Sequence, residues 1–327
     1  MRFFRCLIVG LAFLVIPVCA LQWGYYAKFE KGIIARELSA TELVADMQRE
    51  RMEAFVASNL DRLDLVTSRR IFRDLLRDYL DNRSKDIQYQ LNRSLADARR
   101  AVPVFEKLSV ADLSGRIITS TDNALIGTEV ADRELFTQGS KESVIALSFP
   151  AQGSYDQAHI LLSGPLVVGE KVAAVAILQV YPAELLALLR GPQKVVEDYW
   201  TLVQRVDAMR VALISPAPNG MSLTQNIVSE DSDPNLSAAL RGADITVLES
   251  QPSPAIRVTR FVPDVGWTLV MARDATPLMA ALADFHNSIL LLGLLLSTFV
   301  AGVSLYMAHL LTRIETGQRR HPTATNR

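Results

Sequence analysis

Cysteine is nearly absent from this chain: of 327 residues only Cys6 and Cys19 carry a thiol, and both sit in the first apolar run. The long middle can therefore form neither an internal disulfide nor a thiolate metal site. Histidine is scarce too. Of the four, only His159 and His286 lie outside the apolar ends and the basic tail, too few for a His-based metal centre. No excess of one charge exists either. The 34 Lys and Arg against 35 Asp and Glu give a formal net charge of −1. That excludes a strongly basic nucleic-acid binder, and an acidic disordered chain, as descriptions of the whole. A G-x-S-x-G nucleophile turn and an H-E-x-x-H pair are missing. Ser154, Asp156 and His159 are close in sequence, but a loop-to-strand placement gives no geometric reason for a triad. The chain reads as a non-enzyme with no metal and no cofactor.

Proline is absent between Lys28 and Ala101, and glycine there is confined to Gly32. Leu38, Ala45, Met52, Phe55, Leu60, Leu63 and Val66 keep helical spacing, and Ile71, Leu75 and Tyr79 extend the stripe. Asp46 with Glu50, and Arg49 with Glu53, read as charges on a solvated face. Asp81–Asp86 reads as a break and Gln90–Arg100 as a second helix. A helix of ~45 residues would run ~65 Å, long enough to be a stalk.

What the chain has in plenty is apolar residues, 50% of the total, concentrated at its ends. Cys6–Leu21 is an apolar run with Arg2 and Arg5 before it and Trp23, Tyr25 and Tyr26 after it. With Phe3, Phe4 and the aromatic flank it reaches roughly 20 residues, enough to cross ~30 Å of hydrocarbon. Val18-Cys19-Ala20 also resembles a signal-peptide cleavage site; the aromatic flank and the helix beyond it favour an uncleaved anchor. Ile289–Leu311 carries no charge and is long enough to span. Gly293, Ser297 and Ala301 fall on one face of it and, with the stalk, suit a homodimer contact. Arg313, Arg319, Arg320 and Arg327 follow. Arginines outside both spans on the same side put both termini in the cytoplasm and residues ~27–287 outside, as in a bacterial inner-membrane protein.

The middle opens with Val110-Ala111-Asp112-Leu113-Ser114-Gly115-Arg116-Ile117-Ile118-Thr119-Ser120, which reads as strand, tight polar turn, strand. Ala158–Leu162, Pro165–Val168 and Val172–Val180 read as further strands, with Gly169-Glu170-Lys171 as a turn. Val172–Leu178 is apolar throughout, as a central strand buried on both faces would be. The layout is PAS-like, a curved antiparallel sheet with loops over a small-ligand pocket. Pro182–Arg190 reads as a short helix and Gln193–Met209 as another. Val211–Ser215, Ala243–Leu248, Ile256–Val262 and Trp267–Ala272 read as a smaller second sheet, and Thr276–Ser288 as the helix leading into the second span.

This stretch resembles the membrane-distal module of the double Cache family, the extracytoplasmic sensor of bacterial sensory kinases, diguanylate cyclases and chemoreceptors. The residues that carry the resemblance are Asp112–Ile118, Gly127, Asp132-Arg133-Glu134-Leu135-Phe136 and Val175–Val180. Arg260-Phe261-Val262-Pro263-Asp264-Val265-Gly266-Trp267-Thr268-Leu269-Val270 is similar to the last hairpin of the membrane-proximal module. The fold class implied is α+β: a long N-terminal stalk helix, then two PAS-like sheet modules in tandem, flanked by two transmembrane helices. The segments are 1–26 (anchor or signal peptide), 27–109 (stalk), 110–190 (distal module), 191–288 (proximal module), 289–311 (span) and 312–327 (disordered basic tail).

The resemblance implies a small-molecule sensor in the membrane whose ligand pocket centres on Arg133. An arginine fork there would hold a carboxylate by paired, charge-assisted bonds; a salt bridge to Asp132 or Glu134, or a solvated position, is its other reading. Phe136 and Tyr155 would wall the apolar side. Ser148, His159, Gln179 and Tyr181 would supply polar groups. Amino-acid-binding relatives carry an Asp where this chain has Gln179, and an uncharged amide compensates an ammonium poorly. An α-amino acid is therefore disfavoured, leaving a carboxylate, a neutral metabolite or no ligand. No output domain is expected after the second span, so a separate protein would receive the signal. A membrane scaffold that senses nothing is the alternative.

Overall fold

The computed structural model describes residues 2–131, 133–148, 159–190, 200–206, 209–216, 223–230, 237–238, 240–249 and 253–318. The chain divides into two compact units. One holds Met1–Ala40, Ser250–Ala255 and Asp274–Arg327; the other holds Thr41–Glu249 and Ile256–Arg273.

Helix α1 (Arg2–Thr67) runs unbroken through Pro17. The stalk breaks at Ser68-Arg69, and α2 (Arg70–Asn82) and α3 (Lys85–Ala101) follow. That break resets the helical phase. The buried residues of α2 are Phe72, Leu76 and Tyr79, whereas Ile71, on the expected stripe, is 74% exposed. Arg83, at φ 48, ends α2 in the left-handed region.

The first sheet is antiparallel, in the order β2-β1-β5-β4-β3. Its strands are β1 (Phe105–Asp112), β2 (Ile117–Ser120), β3 (Val144–Ser148), β4 (His159–Val168) and β5 (Lys171–Val180). β4 continues through Gly164-Pro165, where the sequence suggested two strands. Two close approaches tell the faces apart. A Cβ on Gly164 would come within 2.8 Å of Leu63 Cδ2, so α1 lies against the even-numbered face of β4. A Cβ on Gly139, in α4 (Glu134–Gly139), would collide with Ser163, so α4 covers the odd-numbered face. β5 is thus buried on both sides, as its unbroken apolar run requires.

The β1–β2 turn sets up the odd-face cover. Asp112 Oδ1 accepts from Ser114 N at 3.0 Å and Arg116 N at 3.1 Å, as well as from the Ser114 hydroxyl. Gly115 takes φ +83, and any Cβ there would press on Ala131 at 2.5 Å. Val130 N donates to Gly115 O at 2.8 Å, which pins the chain just before α4. Burial alone would raise the Asp112 carboxyl, but the bonds from Ser114, Arg116 and Arg83 outweigh it and hold it below its ordinary value. A carboxyl lowered on folding contributes fully above its unfolded value and loses that contribution as pH falls through the folded one. Asp112→Ala is expected to cost about 1–3 kcal/mol at neutral pH. In chemical unfolding its gap to wild type should close below about pH 4; a gap that persists in strong acid would show that the charge is not what holds the turn.

The second sheet has the order β8-β7-β6-β11-β10-β9. Its strands are β6 (Trp200–Arg205), β7 (Arg210–Pro216), β8 (Leu223–Ser229), β9 (Ile245–Glu249), β10 (Ala255–Val262) and β11 (Trp267–Asp274). Trp267, Leu269, Leu202 and Ile214 are fully buried in it. β6 corrects the helix expected over Gln193–Met209, of which 193–199 and 207–208 lie outside the described residues. α5 (Ala183–Arg190) precedes it. Two expected solvated-face charges on α1 have tertiary partners instead. Asp46 accepts from Arg260 Nε at 2.7 Å, and Arg49 Nη1 donates to Asp244 at 2.9 Å. Arg62 reaches Glu184 of α5 at 2.9 Å.

In the other unit, α6 (Thr276–Gln318) is one helix. Among the described residues its segment Thr276–Met307 alone is long and apolar enough to cross a membrane, with a mean hydropathy of 2.2. The expected N-terminal span begins in residues 2–15, whose side chains lie outside the described set. Tyr26 meets His286 edge-on at 4.5 Å, and Phe29 meets Phe285 at 4.1 Å. Gly293 is buried, and a Cβ there would meet the Gln22 amide of α1 in the same chain.

Candidate functional site

The odd-numbered face of the first sheet floors a cavity of about 220 Å³. That is small beside the ~300–1,000 Å³ of drug-sized pockets, so it suits a small metabolite. Register explains who meets there. Lys107 pairs with Gln179 and Ser109 with Ile177 across β1–β5; Leu161 pairs with Gln179 across β4–β5; Ser148 pairs with His159 across β3–β4. Phe136 of α4 closes the apolar end, buried with Ala111, Ile117, Val130 and Val175.

Five of the seven residues expected from sequence line this cavity: Arg133, Phe136, Ser148, His159 and Gln179. Tyr155, with Ser154 and Asp156, lies outside the described residues. Tyr181 is the correction. It follows the last residue of β5, is 43% exposed, and lines a separate shallow concavity with Arg99 and Arg100. Two residues beyond Gln179, strand alternation would have kept it on the cavity face; the strand ends first.

The charges at the site are not equivalent. Lys107 Nζ is held by Asp122 Oδ2 at 2.9 Å. That bond, with one from Ala124 N, lowers the Asp122 carboxyl. The Lys107 charge is thus already answered. Arg133 is exposed where it lines the cavity, and its guanidinium has no hydrogen bond or ion pair among the described residues. Glu134, the neighbour offered as its partner, accepts instead from Gln138 Nε2 at 3.0 Å, and Asp132 lies outside the described residues.

Sequence reasoning missed Lys107, Ser109, Leu161 and Ile177, which alternation from Gln179 finds only once the register is known. It also missed Glu106, whose Oε2 accepts from Gln179 Nε2 at 2.8 Å.

Neither a family profile nor any curated protein sequence matches the chain. Solved structures do match in shape. The extracellular domain of rpHK1S-Z16, named a histidine kinase, superposes with a TM-score of 0.51 at 15% identity, over 74% of this chain and 96% of that one. The ligand-binding domain of the Pseudomonas aeruginosa chemoreceptor PctC, in complex with GABA, gives 0.51 at 14% identity, over 73% and 100%. That of the Pseudomonas fluorescens chemoreceptor CtaA, in complex with L-isoleucine, gives 0.50 at 12% identity, over 77% and 98%. The fold is the double Cache fold of sensor kinases and chemoreceptors. At these identities the likeness fixes the fold alone. Within the double Cache fold, the cavity described above belongs to the first of the two sheets.

Proposed function

We propose that the chain is a membrane-anchored receptor that senses a small extracytoplasmic carboxylate in the cavity of its first sheet. The observation that carries this reading is the guanidinium of Arg133, without a partner among the described residues, at a cavity whose other described cation, Lys107, is already paired. A guanidinium fork suits a carboxylate, which it binds through two parallel charge-assisted bonds. The ligands named for PctC and CtaA each carry a carboxylate, which agrees with this reading. They also carry an ammonium, and the side chain at position 179 here is an uncharged amide.

Arginines beside both apolar ends support an inner-membrane topology with residues ~27–287 outside. The signal would travel along helices. α1 is continuous from Arg2 to Thr67 and α6 from Thr276 to Gln318, so a ligand that prefers one arrangement of the distal sheet biases both. A separate output protein at the cytoplasmic side would receive that bias.

A thermal-shift screen of the full chain in nanodiscs against organic acids, amines and sugars tests the reading. A ligand at one hundred times its Kd adds about 2.7 kcal/mol, and organic acids are the class expected to give that shift. No shift from any class would leave a membrane scaffold that senses nothing.

A further inference from the structure

The cavity wall made by β1, β4 and β5 carries a network that carboxylate binding at Arg133 leaves unused. Gln179 Nε2 stands 2.8 Å from Glu106 Oε2 and 2.8 Å from His159 Nδ1, and His159 Nδ1 stands 3.3 Å from Glu106 Oε2. Glu106 is there because β1 bulges. Phe105 pairs with Val180 but Lys107 with Gln179, so two residues of β1 span one of β5. In a regular strand Glu106 would point away from Lys107 and Gln179; the extra residue turns it toward them.

The hydrogen-bond sense of the network follows from Glu106. An ionised carboxylate only accepts, so the amide of Gln179 must turn its nitrogen to it; turned over, Gln179 Oε1 would oppose Glu106 Oε2. The second N–H of that amide then meets His159 Nδ1, which must accept, and the proton of the neutral ring belongs on Nε2. Gln179 Oε1 and His159 Nε2 have no partner among the described residues, and both side chains line the cavity.

We propose that Glu106 is a positioning residue that fixes this wall, so that Gln179 presents an acceptor and His159 a donor to the bound molecule. An acceptor beside a donor is the complement of a hydroxyl or a carboxamide. Resting on the reading of the cavity as a ligand site, this narrows the ligand to a carboxylate that also carries such a neutral polar group.

The test reads the imidazole and needs no ligand. Full-length protein labelled with 15N at histidine, in nanodiscs, is measured at a pH where the ring is neutral. His159→Gln assigns the His159 signals. Wild type is expected to carry the proton on Nε2. Glu106→Met removes the acceptor, and the Nδ1–H form should then rise toward the minority share of an unconstrained imidazole. Glu106→Gln keeps an acceptor oxygen and should restore the wild-type ring. A wild-type ring protonated on Nδ1 overturns the proposal, and so does an unchanged ring in folded Glu106→Met. Should Glu106→Met fail to fold, the wild-type ring decides alone: a ring protonated on Nε2 with no detectable Nδ1–H share upholds the assignment, and a detectable Nδ1–H share overturns it. A silent ligand screen would count against the sensor reading and leave this assignment standing; a wrong tautomer would do the reverse.

Discussion

Arg133→Ala is expected to weaken binding of the organic acid that most stabilises wild type by roughly 10- to 100-fold. A hydrogen bond to a charged group is worth about 1.5–3 kcal/mol, and each 1.4 kcal/mol is about tenfold in affinity. The loss should appear almost wholly in binding. Arg133 is exposed and has no partner among the described residues, so the unfolding free energy should change by no more than about 0.5 kcal/mol. Arg133→Lys keeps the charge but loses the planar fork, and should recover only part of the affinity. Lys107→Ala is the informative contrast. Its ammonium lines the same cavity but already serves Asp122 at 2.9 Å, so its removal should change affinity by about threefold or less. Isothermal titration of the three variants against wild type measures all of this. Equal affinity for wild type and Arg133→Ala would sink the carboxylate reading, and a larger loss from Lys107→Ala would move the anion site to β1.

How far the site could be read from sequence depends on how local its determinants are. The Asp112–Gly115 turn is legible because its bonds close within four residues, and one glycine answers both a positive φ and the approach of Ala131. The central placement of β5 is legible because a strand covered on both faces must be apolar at every position. β6 fails the same test. Val195, Val196, Leu202, Val203 and Val206 mimic a helical stripe, and pairing with β7 on one side and β11 on the other overrides it. Glu106 was out of reach because a bulge is a property of two strands in register; nothing in Phe105-Glu106-Lys107 announces it. Tyr181, implied by the resemblance, falls outside the cavity because β5 ends one residue before it.

Asp46→Ala should be the most destabilising of the substitutions considered. On sequence Asp46 is one more acid on a charged helix; in the fold it answers Arg260. The Arg260 side chain is 6% exposed, and its Nε donates to Asp46 Oδ1 at 2.7 Å. Among the described residues its Nη1 reaches the Thr259 carbonyl alone, at 2.9 Å. Asp46 also stands 3.5 Å from Arg49, which holds Asp244, and Asp244 Oδ1 accepts from Phe261 N at 3.2 Å. Taking Asp46 away leaves a guanidinium out of water without a counter-charge. Breaking a fully buried pair costs about 3–5 kcal/mol. Asp46 is itself 43% exposed, so water can enter, and about 2–3 kcal/mol is the expected loss. Trp200 and Trp267, both buried in the second sheet, report its unfolding by fluorescence in the full chain. If the stranded charge is the cause, Arg260→Met in the Asp46→Ala background should recover most of the loss, since a well-packed apolar side chain can replace a buried ion. A loss below about 0.5 kcal/mol would make this an ordinary surface bridge. A double variant no better than the single one would show that packing lost from α1, and not the uncompensated charge, does the damage.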